Sequence, residues 1–180
     1  MIRYLLIFLC LSSLGYSEEY FIKINRIKQG KNLCVPASVS MVLQYYGEKI
    51  DQKDLKRIIE NVEFKNTDKR LYTTTAFAKV ERSLKFIGYE WEEVRFDTNS
   101  GNNGMEFIKK QIQDNNPVIV DIKTKYGQHA VIINGFGTDY FIVTDPMQVS
   151  SFKKYKFMEF RKIWHSGSCG RYLLKTQNKK

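Results

Sequence analysis

The chain has 180 residues, 43% hydrophobic and 14% aromatic, with three prolines and neither a low-complexity tract nor an internal repeat. This excludes disorder and leaves room for one domain with a sizeable core. Twenty-nine lysines and arginines against 19 acidic residues give a net charge of +10, yet the cations are scattered apart from "KKYK" (Lys153 to Lys156) and the terminal "NKK", and no basic-plus-aromatic pattern of a nucleic-acid module is present.

The opening stretch "MIRYLLIFLCLSSLGYS" has one cation, Arg3, an apolar run from Tyr4 to Leu14, and small residues at Gly15 and Ser17. That is the layout of a secretory signal peptide, residues 1–17, with cleavage after Ser17 and a mature domain of residues 18–180. The run is short for a bilayer span, and acidic "EEY" follows it, so no stable membrane insertion is expected after cleavage. Cys10 lies between Leu9 and Leu11 rather than behind a small residue, which argues against a lipoprotein. The implied location is secreted or periplasmic. A mature charge of +9, without Arg3, draws such a protein toward anionic surfaces.

In chain order, "YFIKINRI" (20–27) alternates apolar and polar and predicts a short edge strand. The loop "KQGKNL" follows. From Cys34 to about Tyr46 the apolar residues fit a mostly buried helix, with Pro36 in its first turn and Gly47 at its end. "DQKDLKRIIENVEF" (51–64) has Asp51 as N-cap and Leu55, Ile58, Ile59 and Val62 at helical spacing. "TTTAFAKVERSLKFIGYE" (73–90) repeats the pattern, with a threonine cap and Gly88 as terminator. "WEEVRF" (91–96) predicts a strand and "GMEFIKKQIQDNN" (104–116) a helix. After Pro117 the runs "PVIVDIK", "HAVIINGFG", "YFIVTDP", "SSFKKYKF" and "RYLLKTQ" are strands between short turns. Helices first and strands later give an α+β class, a helical part packed on an antiparallel sheet.

Once Cys10 is removed, Cys34 and Cys169 remain, and two cysteines in an exported chain suggest a disulfide. A second reading makes Cys34 a nucleophile. A thiol is reactive as thiolate, and a helix N-terminus or a neighbouring imidazole lowers its pKa from ~8.5 to roughly 3.5–7.5. Cys34 stands where a helix begins. Of the two histidines, His129 opens the strongest strand, whereas His165 lies in the polar stretch "IWHSGS" and reads as surface. Asp145 ends the next strand. Two antiparallel strands joined by the tight turn near "GTD" place His129 beside Asp145, which then accepts from the imidazole and orients it. The Cys34 N–H supplies one oxyanion donor; Gln29, five residues upstream in a glycine-flanked loop, is the candidate second, with Asn32 also within reach. Cys169 is left as a free or intermolecularly paired thiol. No cofactor, metal-cluster or nucleotide-loop motif is present.

"QGKNLCVPASVSMVLQYYG", then "GQHAVIINGFG", then "VTDP" together resemble the papain-like cysteine peptidases, in particular the bacteriocin-processing (double-glycine leader) peptidases and their secreted stand-alone relatives. The match falls on Gln29, Cys34, Tyr46, Gly47, Gly127, His129, Gly135, Asp145 and Pro146. Leu33 and Val35 stand where that family usually has an acidic residue and a glycine. The resemblance implies a papain-like fold, bacterial origin, a peptide or protein substrate, and a Cys34–His129–Asp145 triad with Gln29 in the oxyanion hole. The alternatives are acyl transfer at the same site, or a catalytically silent module that holds a peptide in the cleft.

Overall fold

Strand-forming runs separated by tight turns build a seven-stranded, wholly antiparallel sheet, and helices cover it. The computed structural model describes residues 19–61, 76–97, 101–148, 152–164 and 171–179. The elements are β1 (Tyr20–Phe21), α1 (Cys34–Tyr45), α2 (Gln52–Glu60), α3 (Ala76–Lys85), β2 (Glu92–Phe96), α4 (Gly101–Gln113), β3 (Val118–Thr124), β4 (Gly127–Phe136), β5 (Tyr140–Thr144), β6 (Lys153–Lys156), α5 (Phe157–Ile163) and β7 (Arg171–Lys175). The strand order is β2-β7-β3-β4-β5-β6, and β1 also pairs with β4. The α+β class expected from the sequence is therefore the one observed.

The α1 helix sits at the centre because almost nothing in it is polar: Pro36 through Leu43 are all buried. Its two buried serines do not waste hydrogen bonds. Ser38 Oγ donates to the Ala130 carbonyl of β4 (3.3 Å) and Ser40 Oγ to the Ile50 carbonyl (2.6 Å). The α2 helix shows the opposite pattern, burying Leu55 and Ile59 and exposing its charges, with the Asp51 side chain accepting from the Lys53 N–H (2.7 Å) at the N-cap. Val62 to Phe64 and the threonine cap before α3 lie outside the described residues.

Three elements differ from the sequence reading. The first strand is two residues long rather than eight. At its end Ile22 N–H donates to the Asn134 carbonyl (2.7 Å) and the Asn134 side chain donates to the Ile22 carbonyl (2.7 Å), after which the chain leaves the sheet. The α4 helix starts three residues early. "KKYKF" ends as a strand at Lys156, and the unexpected helix α5 follows. Its start is held by the Glu159 carboxylate, which accepts from the Lys156 N–H (3.3 Å), and its packing by Phe160, fully buried against Phe141 and Trp164.

Asn134 also places the end of β5. The β4–β5 register shifts between Ile133 and Gly135, a β-bulge centred on Asn134, and the Asn134 carboxamide oxygen accepts from the Thr144 hydroxyl (3.1 Å). Gly135 must be glycine, since a Cβ there would lie 2.6 Å from the Tyr20 carbonyl oxygen. Asn134 is 1% exposed, so Asn134→Ala strands the Ile22 carbonyl and the Thr144 hydroxyl. Urea denaturation is expected to show a loss of about 2–4 kcal/mol for that variant, against less than ~0.5 kcal/mol for Phe86→Ala at an 83% exposed position.

Candidate active site

Cys34 is the first residue of α1 and is half-buried, with a free thiol. Cys169 and His165 lie outside the described residues. No side chain caps α1 at Leu33, and its first turn holds no acidic residue. The Val35 N–H, at the positive end of the helix dipole, is hydrogen-bonded to the sulfur. Burial pushes the Cys34 thiol up. The hydrogen bond with His129, backbone hydrogen bonds from Ala130 and Val35, and the His129 charge outweigh it and hold the thiol below its ordinary value.

His129 enters at the second position of β4 after the turn glycine; Gly127 adopts φ +115°, a conformation that side chains disfavour. His129 Nε2 lies 2.7 Å from Asp145 Oδ1, with both residues 5% exposed. With Nε2 committed to Asp145, Nδ1 is the nitrogen left for the Cys34 sulfur. Burial pushes the imidazolium down, but the hydrogen bonds to Asp145 and Cys34 and the charges of both raise His129 to about 9. On the Asp145 carboxyl burial acts in the opposite direction, pushing it up. The hydrogen bonds from His129 and the Met147 N–H (2.8 Å), the His129 charge and the Gln148 side chain carry it below the usual carboxylate range.

These directions set the pH windows. His129 folded titrates above its unfolded value of ~6.5, so its stabilising contribution is complete below that pH and disappears as pH rises through about 9. Asp145 contributes above its unfolded ~3.9 and loses that contribution as pH falls through its lowered folded value. The two directions, Cys34 down and His129 up, both favour the thiolate–imidazolium form of the pair.

Gln29 belongs to the loop before α1, and its N–H donates to the Pro146 carbonyl (3.0 Å), next to Asp145. The loop is clasped by Gln52 at the start of α2. Gly30 N–H donates to Gln52 Oε1 (2.9 Å), and Gln52 Nε2 donates to the Lys28 carbonyl (3.0 Å). Leu33 is buried beneath it, its Cδ1 2.9 Å from where a Gly30 Cβ would stand. The Gln29 carboxamide oxygen is buried and has no hydrogen-bond partner among the described residues, a costly arrangement that ordinary loops avoid. Asn32, the alternative donor, is exposed at φ 59° and lines the cleft beside Cys34, as does Val35.

The sequence reading passed over the residues that hold the site together. Asn134 left a signal, a lone amide inside the apolar run "AVIINGF". Gln52 and Gln148 left none, being polar residues on a helix start and a turn.

A buried helix headed by a cysteine and packed on an antiparallel sheet, with a histidine on one strand and an aspartate just past the end of the next, is the papain-like arrangement. The sequence model described as the Peptidase_C39 like family matches residues 21–171, and the chain belongs to that family, one of cysteine peptidases. Solved structures share the fold. A Bacillus anthracis protein described as a C39-like peptidase superposes with a TM-score of 0.63 at 16% identity, over 91% of this chain and 100% of its own. A double glycine motif protease from an AMS/PCAT transporter, in complex with the leader peptide, gives 0.56 at 22% identity over 87% and 94%. The peptidase domain of Streptococcus ComA, a bi-functional ABC transporter, gives 0.55 at 22% over 84% and 97%. None of the curated proteins matches this chain.

Because Cys34 is held low by His129, iodoacetamide at pH 6 is expected to alkylate it faster in the native protein than in urea. His129→Ala should abolish that difference; equal rates in native and unfolded wild type would contradict an activated thiolate.

Proposed function

We propose that this protein is an exported cysteine peptidase that hydrolyses a peptide or protein substrate through Cys34, His129, Asp145 and Gln29. One observation carries the reading: the Cys34 thiol is hydrogen-bonded to an imidazole that itself lies 2.7 Å from a buried carboxylate. A histidine packed merely for stability has no need of a thiol on its other nitrogen.

The Cys34 thiolate attacks the amide carbonyl, and the Cys34 N–H and the Gln29 carboxamide hold the oxyanion. His129, charged at neutral pH, gives its proton to the leaving amine. Water then attacks the thioester with neutral His129 as base, and the thiolate leaves. Asp145 keeps Nε2 engaged through both steps, so that Nδ1 always faces the reacting atoms. A solved relative is a double glycine motif protease in complex with a leader peptide, which supports a peptide as substrate class. The signal-like first seventeen residues support action outside the cytoplasm.

Peptide-library cleavage followed by mass spectrometry tests the reading. Cys34→Ala is expected to abolish cleavage, His129→Ala to lower kcat by roughly 10²–10⁴-fold, and Gln29→Ala by roughly 10²–10³-fold. The kcat/KM profile should hold level through neutral pH and fall as pH rises through about 9, and Asp145→Asn should bring that fall to lower pH because His129 loses the anion that raises it. Cleavage that survives Cys34→Ala would end the proposal, and product carrying an added amine would identify acyl transfer instead. For export, N-terminal sequencing of protein recovered outside the cytoplasm is expected to begin at Glu18.

A further inference from the structure

The proposed chemistry gives the Gln29 carboxamide a task but does not say what aims it. The side chain is not held by its own oxygen, since Gln29 Oε1 is buried with no hydrogen-bond partner among the described residues. Regular structure does not hold it either, because residues 22–33 form neither helix nor strand. Its direction is inherited from the backbone, that is, from the two peptide groups flanking the Gln29 Cα.

Those two groups are pinned from opposite sides. In the peptide before Gln29, the Lys28 carbonyl accepts from Gln52 Nε2 (3.0 Å) and the Gln29 N–H donates to the Pro146 carbonyl (3.0 Å). In the peptide after it, the Gly30 N–H donates to Gln52 Oε1 (2.9 Å). One planar carboxamide grips both peptides as a neighbouring strand would, and fixing both planes fixes φ and ψ of Gln29. The grip needs a group that donates and accepts at once. Ionised glutamate has no donor, and asparagine is one methylene too short. The anchor is firm. Gln52 is the first residue of α2, Asp51 before it caps the helix by accepting from the Lys53 N–H (2.7 Å), and Leu55 is fully buried.

We propose that Gln52 is the positioning residue of the oxyanion hole. It touches no reacting atom and acts through Gln29, by holding the loop at Lys28 and Gly30. The proposal rests on Gln29 as the oxyanion donor.

The test compares two reagents that meet Cys34 differently. Iodoacetamide alkylates the thiolate by displacing iodide and places no new charge on an oxygen. N-Acetylglycinal adds to it: a C–S bond forms, the carbonyl π pair moves to oxygen, and that oxygen enters the hole. NMR of the isotope-labelled aldehyde reads the adduct. Gln52→Ala is expected to weaken the adduct by about tenfold and to lower kcat by roughly 10–10²-fold with KM nearly unchanged. Alkylation by iodoacetamide should keep its wild-type rate. In a Gln29→Ala background the same substitution should cost less than about threefold, because the donor it aims is gone. Gln52→Glu should recover relative to wild type as pH falls and its carboxyl gains a proton to donate to the Lys28 carbonyl. Asp51→Ala, which removes the helix cap but not the clasp, should lower the melting temperature and leave the adduct intact. Equal adduct affinity in wild type and Gln52→Ala would overturn the proposal. So would additive losses with Gln29→Ala, or a loss in Asp51→Ala as large as in Gln52→Ala. Absence of any adduct in wild type would overturn it together with the Gln29 donor. An adduct with the expected pattern but no turnover of any peptide would sink the hydrolytic reading and leave the clasp standing.

Discussion

An ionised carboxylate buried to the degree of Asp145 costs several kcal/mol in lost hydration unless donors replace the water. That requirement organises the site. The donors are His129 Nε2, the Met147 N–H and the Gln148 side chain, so the turn from Asp145 to Gln148 has to fold back on its own first residue. Pro146 cannot donate, but its carbonyl accepts the Gln29 N–H and brings the loop before α1 to the same turn. The bulge at Asn134 is the upstream half of the same constraint. It resets the β4–β5 register so that β5 ends where His129 can reach it.

The site joins two parts of unequal rigidity. His129 stands on β4 in the middle of the sheet, Asp145 directly follows the end of the paired strand β5, and Cys34 heads a helix whose next nine residues are almost entirely without solvent contact. Packing at that density fixes the thiol and the imidazole to within small displacements. Gln29, by contrast, hangs from a loop with no secondary structure, and its position depends on the Gln52 clasp, the Leu33 packing and the Pro146 carbonyl. The glutamine is where tuning of the site by remote substitutions would act most easily, because three separate supports converge on one short loop.

Much of this was legible in the sequence because it rests on patterns with physical periods. The buried α1, the amphipathic α2 and the strands after Pro117 announce themselves by spacing of apolar residues. The neighbourhood of His129 and Asp145 followed from hairpin arithmetic alone. The remainder was hidden for identifiable reasons. The bulge at Asn134 adds a residue that strand counting cannot see, and β1 stops short because Asn134 consumes the Ile22 carbonyl with a side chain. The α5 helix is seven residues of aromatic, strand-like composition that only tertiary packing and a carboxylate cap make helical. Gln52 acts through hydrogen bonds to a loop 22 and 24 residues away in sequence, and no local pattern encodes such a reach.

The sheet closes on one side with β6, whose "KKYK" leaves Lys153, Lys154 and Lys156 exposed, Lys154 tied to the Glu19 carboxylate (3.0 Å). An outer strand presents unpaired backbone groups to any passing strand, and that is how many sheets begin to aggregate. Here two copies approaching rim to rim bring ammonium rows face to face. The one internal lysine cluster of the chain thus acts as a barrier to self-templating, one that keeps the outermost strand of the sheet from growing into a shared ladder.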